Sequence, residues 1–224
     1  MSVSEQIITF KSALPKEVSL VAVSKTYSSN IVMEAYNTGH KDFGENKVQE
    51  LISKAEVLPK DIRWHMIGHL QSNKVKYIAP FVTLIHAVDS QKLLKVINKE
   101  AAKNSRVIDC LLQVHIAKES SKYGLSKEGL KDLIRFFNDN INDFSNVRVC
   151  GLMGMATFTD DCDIVREEFR YLKAIFDEVK ESDLNNYPEF TQLSMGMSND
   201  YNIAIEEGSN IVRVGSAIFG NRNY

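Results

Sequence analysis

Short runs rich in β-branched residues alternate with stretches of helical period along the whole chain, and this alternation limits the fold more than any other feature. The runs are VSLVAVS at 18–24, RWHMI at 63–67, VTLIHAV at 82–88, VIDCLLQVHI at 107–116, VRVCGLM at 147–153 and NIVRV at 210–214. Weaker candidates are DF at 42–43 and TQL at 191–193. Between them, 30–37 places Ile31, Val32, Ala35 and Tyr36 on one helical face. The stretch 90–103 opens on Ser90, a good N-cap, and repeats Leu93, Leu94, Ile97 and Ala101. Stretches 126–138 and 163–180 have the same period. About eight strands result, each but the last followed by a helix. Strands that alternate with helices imply an α/β chain with a parallel sheet. About eight such units in 224 residues fit a compact (β/α)8 TIM barrel, which runs from about 200 residues upward. A doubly wound open sheet is the alternative, and the placement of the chemistry favours the barrel.

The expected organisation is one barrel domain over 1–224 with a short extra N-terminal helix. The polar loops 139–146 and 182–189 are too short to divide it. The start, MSVSEQIITFKSALPKE, reads as an amphipathic helix rather than a signal peptide. No apolar run reaches the roughly 18 residues of a membrane span. A net charge of −2 gives no basic excess for nucleic acid and no basic tract for an anionic membrane. Cys110, Cys150 and Cys162 are odd in number and lack metal-ligand spacing. Free thiols in a reducing cytoplasm are therefore expected. No long apolar surface stripe is evident, so a monomer is expected.

In such a barrel, function sits at the C-terminal ends of the strands. The run LVAV at 20–23 leads into Ser24-Lys25-Thr26 and so puts Lys25 at that rim. A lysine leaving a buried strand needs a partner or loses its charge, and an imine-forming lysine meets that demand. Position alone favours the plainer reading, a lysine that merely begins a loop. Strand 7 runs into Ser194-Met195-Gly196-Met197-Ser198-Asn199-Asp200, ahead of a helical stretch. Strand 8 runs into Gly215-Ser216-Ala217. Backbone amides and hydroxyls in loops 7 and 8 form the common phosphate site of this fold. Turn and capping chemistry is the plainer reading, with Ser198 as a helix N-cap. Arg213 lies within NIVRV, between residues that should be buried, so its guanidinium needs a partner. Barrel closure sets strand 8 beside strand 1 and brings Arg213 and Lys25 to one rim. A cofactor with an aldehyde, a phosphate and an aromatic nitrogen would suit Lys25, the serine loops and Arg213 in turn. An ion pair of Arg213 with Glu45 or a neighbour stays open. An arginine at a pyridine nitrogen leaves that nitrogen unprotonated and weakens the ring as an electron sink.

These residues sit in segments that closely resemble the pyridoxal phosphate homeostasis protein family over nearly the whole chain. The segments are LVAVSKTY at 20–27, FGENKVQE at 43–50, WHMIGHLQSNK at 64–74 and SKYG at 121–124. They continue with GLMGMA at 151–156, LSMGMSNDYNIAI at 193–205 and GSNIVRVGSAIFGNR at 208–222. The resemblance implies a fold-type III barrel, like the alanine racemase N-terminal domain, with pyridoxal 5'-phosphate (PLP) on Lys25. It implies phosphate contacts near Ser194, Ser198, Gly215 and Ser216, and Arg213 at the pyridine nitrogen. Asn46 of FGEN is expected to line the pocket, and Met153 and His65 are candidates to join it. The family is regarded as non-catalytic: it buffers or delivers PLP, and apo-PLP-dependent enzymes are the expected transient partners. Lys122 of SKYG is a candidate second lysine for transfer. His115 stands where the family commonly has Asn.

Two rivals use the same parts. An amino-acid racemase would need a second domain supplying a tyrosine, and this chain ends about ten residues after strand 8. A class I aldolase also uses a barrel lysine and a phosphate site but carries no cofactor. His65 and His69 are spaced i, i+4, which serves a metal only on a helix, and His65 lies in a strand-like run. No metal is expected.

Overall fold

The computed structural model describes residues 1–118 and 123–220. In chain order the elements are α1 (Val3–Ala13), β1 (Ser19–Val23), α2 (Ser29–Tyr36), β2 (Asp42–Glu45), α3 (Val48–Val57), β3 (Arg63–Met66), α4 (Val75–Ile78), β4 (Val82–Val88) and α5 (Gln91–Lys103). There follow β5 (Ile108–Gln113), α6 (Lys127–Asp139), β6 (Val147–Met153), α7 (Cys162–Glu178), β7 (Gln192–Ser194), α8 (Tyr201–Glu206), β8 (Ile211–Val214) and α9 (Ser216–Phe219). The eight strands are parallel and close in sequence order, β1 beside β8. The register that closes the barrel pairs Val21 with Arg213 and Ala22 with Val214.

Local chemistry accounts for the main helices. α1 opens on a capping box between Ser2 and Glu5. Ser90 caps α5 by accepting from the Leu93 N–H, and Ser126 caps α6 by accepting from Gly129. α5 turns Leu93, Leu94, Ile97 and Ala101 inward, and α6 turns Leu130, Leu133, Ile134 and Phe137 inward. Each fully buried leucine or phenylalanine contributes about 1.5–3 kcal/mol over leaving it in water. The sequence pattern gives the last strand no helix, whereas the short α9 follows it. Tyr27 then closes the seam: its hydroxyl donates to the Gly220 carbonyl at 2.5 Å, and its ring packs on Phe219.

The strand period of two divides the core. Trp64, Met66, Ile85, Val212 and Val214 face the helices, while Val21, Leu84, Leu111, Met153 and Ile211 face the barrel axis. The axial layer is not purely apolar. His65, His86, Ser194 and Arg213 are buried and hydrogen-bonded to one another.

Candidate functional site

A cavity of about 470 Å³ opens at the C-terminal ends of the strands. Lys25, Asn46, Ser198, Arg213, Gly215 and Ser216 line it, together with Gln113, Tyr123, Met155 and Phe158. Close backbone packing shapes its walls. A Cβ on Gly68 would lie 2.4 Å from the Asn46 carbonyl oxygen. Gly196 holds φ at +93°, and a Cβ there would meet the Ala204 side chain at 2.6 Å.

Lys25 follows β1 between two tethered neighbours. The Ser24 hydroxyl donates to Glu45 Oε1 at 2.7 Å, and its carbonyl accepts from Lys54 Nζ at 2.7 Å. Thr26 holds φ at +73°, a left-handed conformation costly for a β-branched residue. Its N–H is hydrogen-bonded to Glu50 Oε1. Lys54 sits at the centre, 2.7 Å from Glu45 Oε1 and 2.9 Å from Glu50 Oε1. Lys54 is 4% exposed and Glu45 is fully buried. Burial pushes the Glu45 carboxyl up, against the pull of Lys54 and Ser24. A buried cation thus fixes the backbone on both sides of Lys25.

Arg213 enters from β8. Nη1 donates to Ser194 Oγ at 2.6 Å and Nη2 to the Gly154 carbonyl at 3.1 Å. Burial lowers the Arg213 pKa to about 10, so the guanidinium stays a cation at neutral pH. The loops after β7 and β8 are joined where Ser198 Oγ accepts from the Gly215 N–H at 3.2 Å. Amides and hydroxyls of small residues therefore lie on one side of the cavity, a cation at its base and an amine at its rim. That donor set suits a ligand with an anionic group, a hydrogen-bond acceptor and a carbonyl.

Comparison with known proteins gives this arrangement its relatives. The family model of the alanine racemase N-terminal domain matches residues 2–223. A pyridoxal phosphate homeostasis protein from Aquifex aeolicus is 42% identical over 206 residues, covering 92% of this chain and 87% of that protein. Another, from Schizosaccharomyces pombe, is 37% identical over 215 residues, covering 95% and 87%. The chain belongs to this family. Among solved structures, PipY of Synechococcus elongatus matches at 33% identity, with TM-scores of 0.88 without PLP and 0.84 with PLP bound. Both comparisons cover 97% of this chain and 100% of PipY. Alanine racemase from E. faecalis shares the fold at a TM-score of 0.70, with 16% identity and 58% of its own chain covered.

Within this member of the pyridoxal phosphate homeostasis family, the expected site residues do not all stand on the cavity wall. Lys25, Asn46, Ser198, Arg213, Gly215 and Ser216 do. Met153 does not: it is fully buried among axial apolar residues, and Met155 takes the wall instead. Ser194 is also fully buried, one layer below, where it holds Arg213. His65 lies deeper still, between Asp42 and His86. Ser198 is not the N-cap of α8, whose cap position is Asp200. Glu45 pairs with Lys54 rather than with Arg213. His69 stacks on Tyr123, with ring centroids 4.3 Å apart, and both line the cavity. Lys122 lies outside the described residues. The sequence pattern does not single out Gln113, Tyr123 or Met155. The one available signal is that β5 and β6 end beside them.

Proposed function

We propose that this protein carries PLP as a Schiff base on Lys25 and takes part in intracellular PLP homeostasis, buffering the cofactor or delivering it to apo-PLP-dependent enzymes. One observation carries the reading: Lys25, Arg213 and the Ser198–Gly215–Ser216 loops line a single cavity. The residues fit the group. Lys25 would hold the aldehyde, Ser198, Gly215 and Ser216 the phosphate, Arg213 the ring nitrogen, and Asn46 the pocket wall beside Lys25. Relatives support it, in that PipY has a structure with PLP bound and the curated relatives bear the homeostasis name. When bound, PLP supplies an electron sink for carbanion chemistry. Arg213 works against that role, because a donor at the ring nitrogen leaves it unprotonated. The protein is therefore a holder of PLP rather than an enzyme.

Absorbance of the purified, PLP-loaded protein tests the reading. A visible to near-ultraviolet band should vanish on borohydride reduction, with the added mass on Lys25. Lys25→Ala should lose the band and retain weak, phosphate-dependent binding. An unchanged band in Lys25→Ala would assign the wrong lysine. Rapid loss of optical rotation from a single-enantiomer amino acid would replace the reading with a racemase.

A further inference from the structure

One hydrogen-bonded chain runs through the barrel interior, from the cavity toward the N-terminal end of the sheet. Arg213 Nη1 donates to Ser194 Oγ at 2.6 Å. Ser194 Oγ lies 3.1 Å from His86 Nδ1, and His86 Nε2 lies 3.0 Å from His65 Nδ1. His65 Nε2 lies 3.2 Å from Asp42 Oδ1, which also accepts from Arg63 Nε at 2.6 Å. Strands β8, β7, β4, β3 and β2 thus contribute one residue each to the four links from Arg213 to Asp42.

The two ends differ in kind. A guanidinium only donates, and a carboxylate only accepts. A neutral imidazole has one nitrogen of each sort. With both imidazoles neutral, a single orientation satisfies every link: Arg213 donates to Ser194, Ser194 to His86, His86 to His65, and His65 to Asp42. Reversing any one link sets two N–H groups or two lone pairs against each other, which is costliest at the buried links above Asp42. Asp42 and His86 are held in the states this requires. Burial acts to raise the Asp42 carboxyl, but hydrogen bonds from Arg63 and His65 outweigh it and keep Asp42 well below the usual carboxylate range. Burial, followed by the nearness of His65 and Arg213, pushes His86 well below its ordinary value.

We propose that Asp42, His65, His86 and Ser194 are positioning residues for Arg213, a one-way chain that holds the guanidinium, itself a donor only, in one place toward the cavity. The Ser194 proton is committed to His86, so that hydroxyl cannot turn to donate to a ligand in place of Arg213. A ligand atom set against Arg213 must bring a lone pair. This deepens the PLP reading and rests on it for its functional consequence: the chain fixes the protonation state in which the ring nitrogen is held.

Nitrogen-15 NMR of histidine-labelled, PLP-free protein at neutral pH tests the chain itself. His65 and His86 should both be neutral Nε2–H tautomers. A proton on His86 Nδ1 would overturn the proposal. In Asp42→Asn the acceptor-only end is gone, so both histidines should become tautomer mixtures while His69 is unchanged. Unaltered tautomers in that variant would also overturn it. The consequence is read by equilibrium binding of PLP against its ring N-methylated analogue, whose nitrogen is permanently cationic. The natural protein should prefer PLP on the order of 100-fold, and Ser194→Ala should narrow that ratio about tenfold. Equal binding of the two would refute the lock. Failure of PLP itself to bind would sink the cofactor reading instead, and the tautomers of the unloaded protein would still decide the chain.

Discussion

Two buried polar networks flank the cavity, and they are built on opposite principles. Behind Lys25, a charged side chain, Lys54, gathers Glu45, Glu50 and the Ser24 carbonyl around one ammonium. Behind Arg213, hydroxyl and imidazole groups pass hydrogen bonds in file. The first network fixes backbone, since its contacts end on Ser24 and Thr26 on either side of Lys25. The second fixes a side chain, since its contact ends on a guanidinium. The difference follows from what each must hold. A loop with a left-handed threonine needs a strong, local anchor. A guanidinium in a barrel interior needs acceptors at fixed places without a second full charge beside it.

The charged network should be the costlier to break. Lys54→Met removes the cation and leaves two carboxylates near each other in a buried place. The expected loss is about 3–5 kcal/mol, as for a buried pair stripped of one partner. It should appear in urea unfolding. The sign with pH is set by Glu45, already raised by burial. An acid whose folded pKa is raised lends its stability below the ordinary carboxylate range and loses it as pH rises through the folded value. Lys54→Met raises Glu45 further, so the variant should become less stable as pH climbs from acid to neutral. A loss under 1 kcal/mol, flat with pH, would erase the contrast between the two networks.

The neutral chain should break more gently. Ser194→Ala removes one hydroxyl and leaves an Arg213 N–H and His86 Nδ1 unsatisfied, at about 1–3 kcal/mol. Urea unfolding at neutral pH compares it directly with Lys54→Met. A loss equal to that of Lys54→Met would mean that the orientation of the chain carries as much stability as the buried ion group.

How much of this was legible in the sequence depends on distance along the chain. The alternation of strands and helices was legible because their periods are local signals, and the placement of the chemistry chose the barrel over an open sheet. That Lys25 and Arg213 reach one cavity was legible because Lys25 follows an apolar run and Arg213 interrupts one. Depth within the barrel was not. Ser194 and Met153 stand at strand ends in the sequence, yet both are fully buried, because the stagger between strands sets which layer reaches the mouth. The His65–His86 pair depends on a register shift between Trp64 and His65, where β3 pairs with β4. A slip of one residue would turn the side chains to the other face. Lys54 did leave a trace. Val48, Leu51, Ala55 and Leu58 are buried on one side of α3, and Lys54 lies on that stripe. A lysine on an apolar stripe demands a buried partner.

Asp42 sharpens the comparison at smaller scale. Its folded pKa is depressed, so its contribution is present above the unfolded value of about 3.9 and lost as pH falls through the folded value. Asp42→Asn should therefore flatten the acid limb of the stability curve below about pH 5, by about 1 kcal/mol, since Arg63 is half exposed and screened. Unfolding midpoints taken every half unit would reveal it. An unchanged acid limb would mean that the carboxylate end of the chain is not what holds the histidines.

The smallest expected effect bears on why the charged network is needed at all. Thr26 sits at φ +73°, and its exposed side chain has no need of that conformation. The Glu50 contact to its N–H holds it there. Thr26→Gly should relieve about 1–2 kcal/mol of left-handed strain and give back about 0.5–1 kcal/mol through the freer unfolded chain. The net is a gain between zero and about 1.5 kcal/mol, centred below about 1, seen as a higher urea midpoint. In that background Glu50→Gln should cost less than in the natural protein, because less strain remains to be restrained. A coupling of zero between the two sites would place the cause of the turn in the loop itself, and the Lys54 group would then serve Ser24 alone.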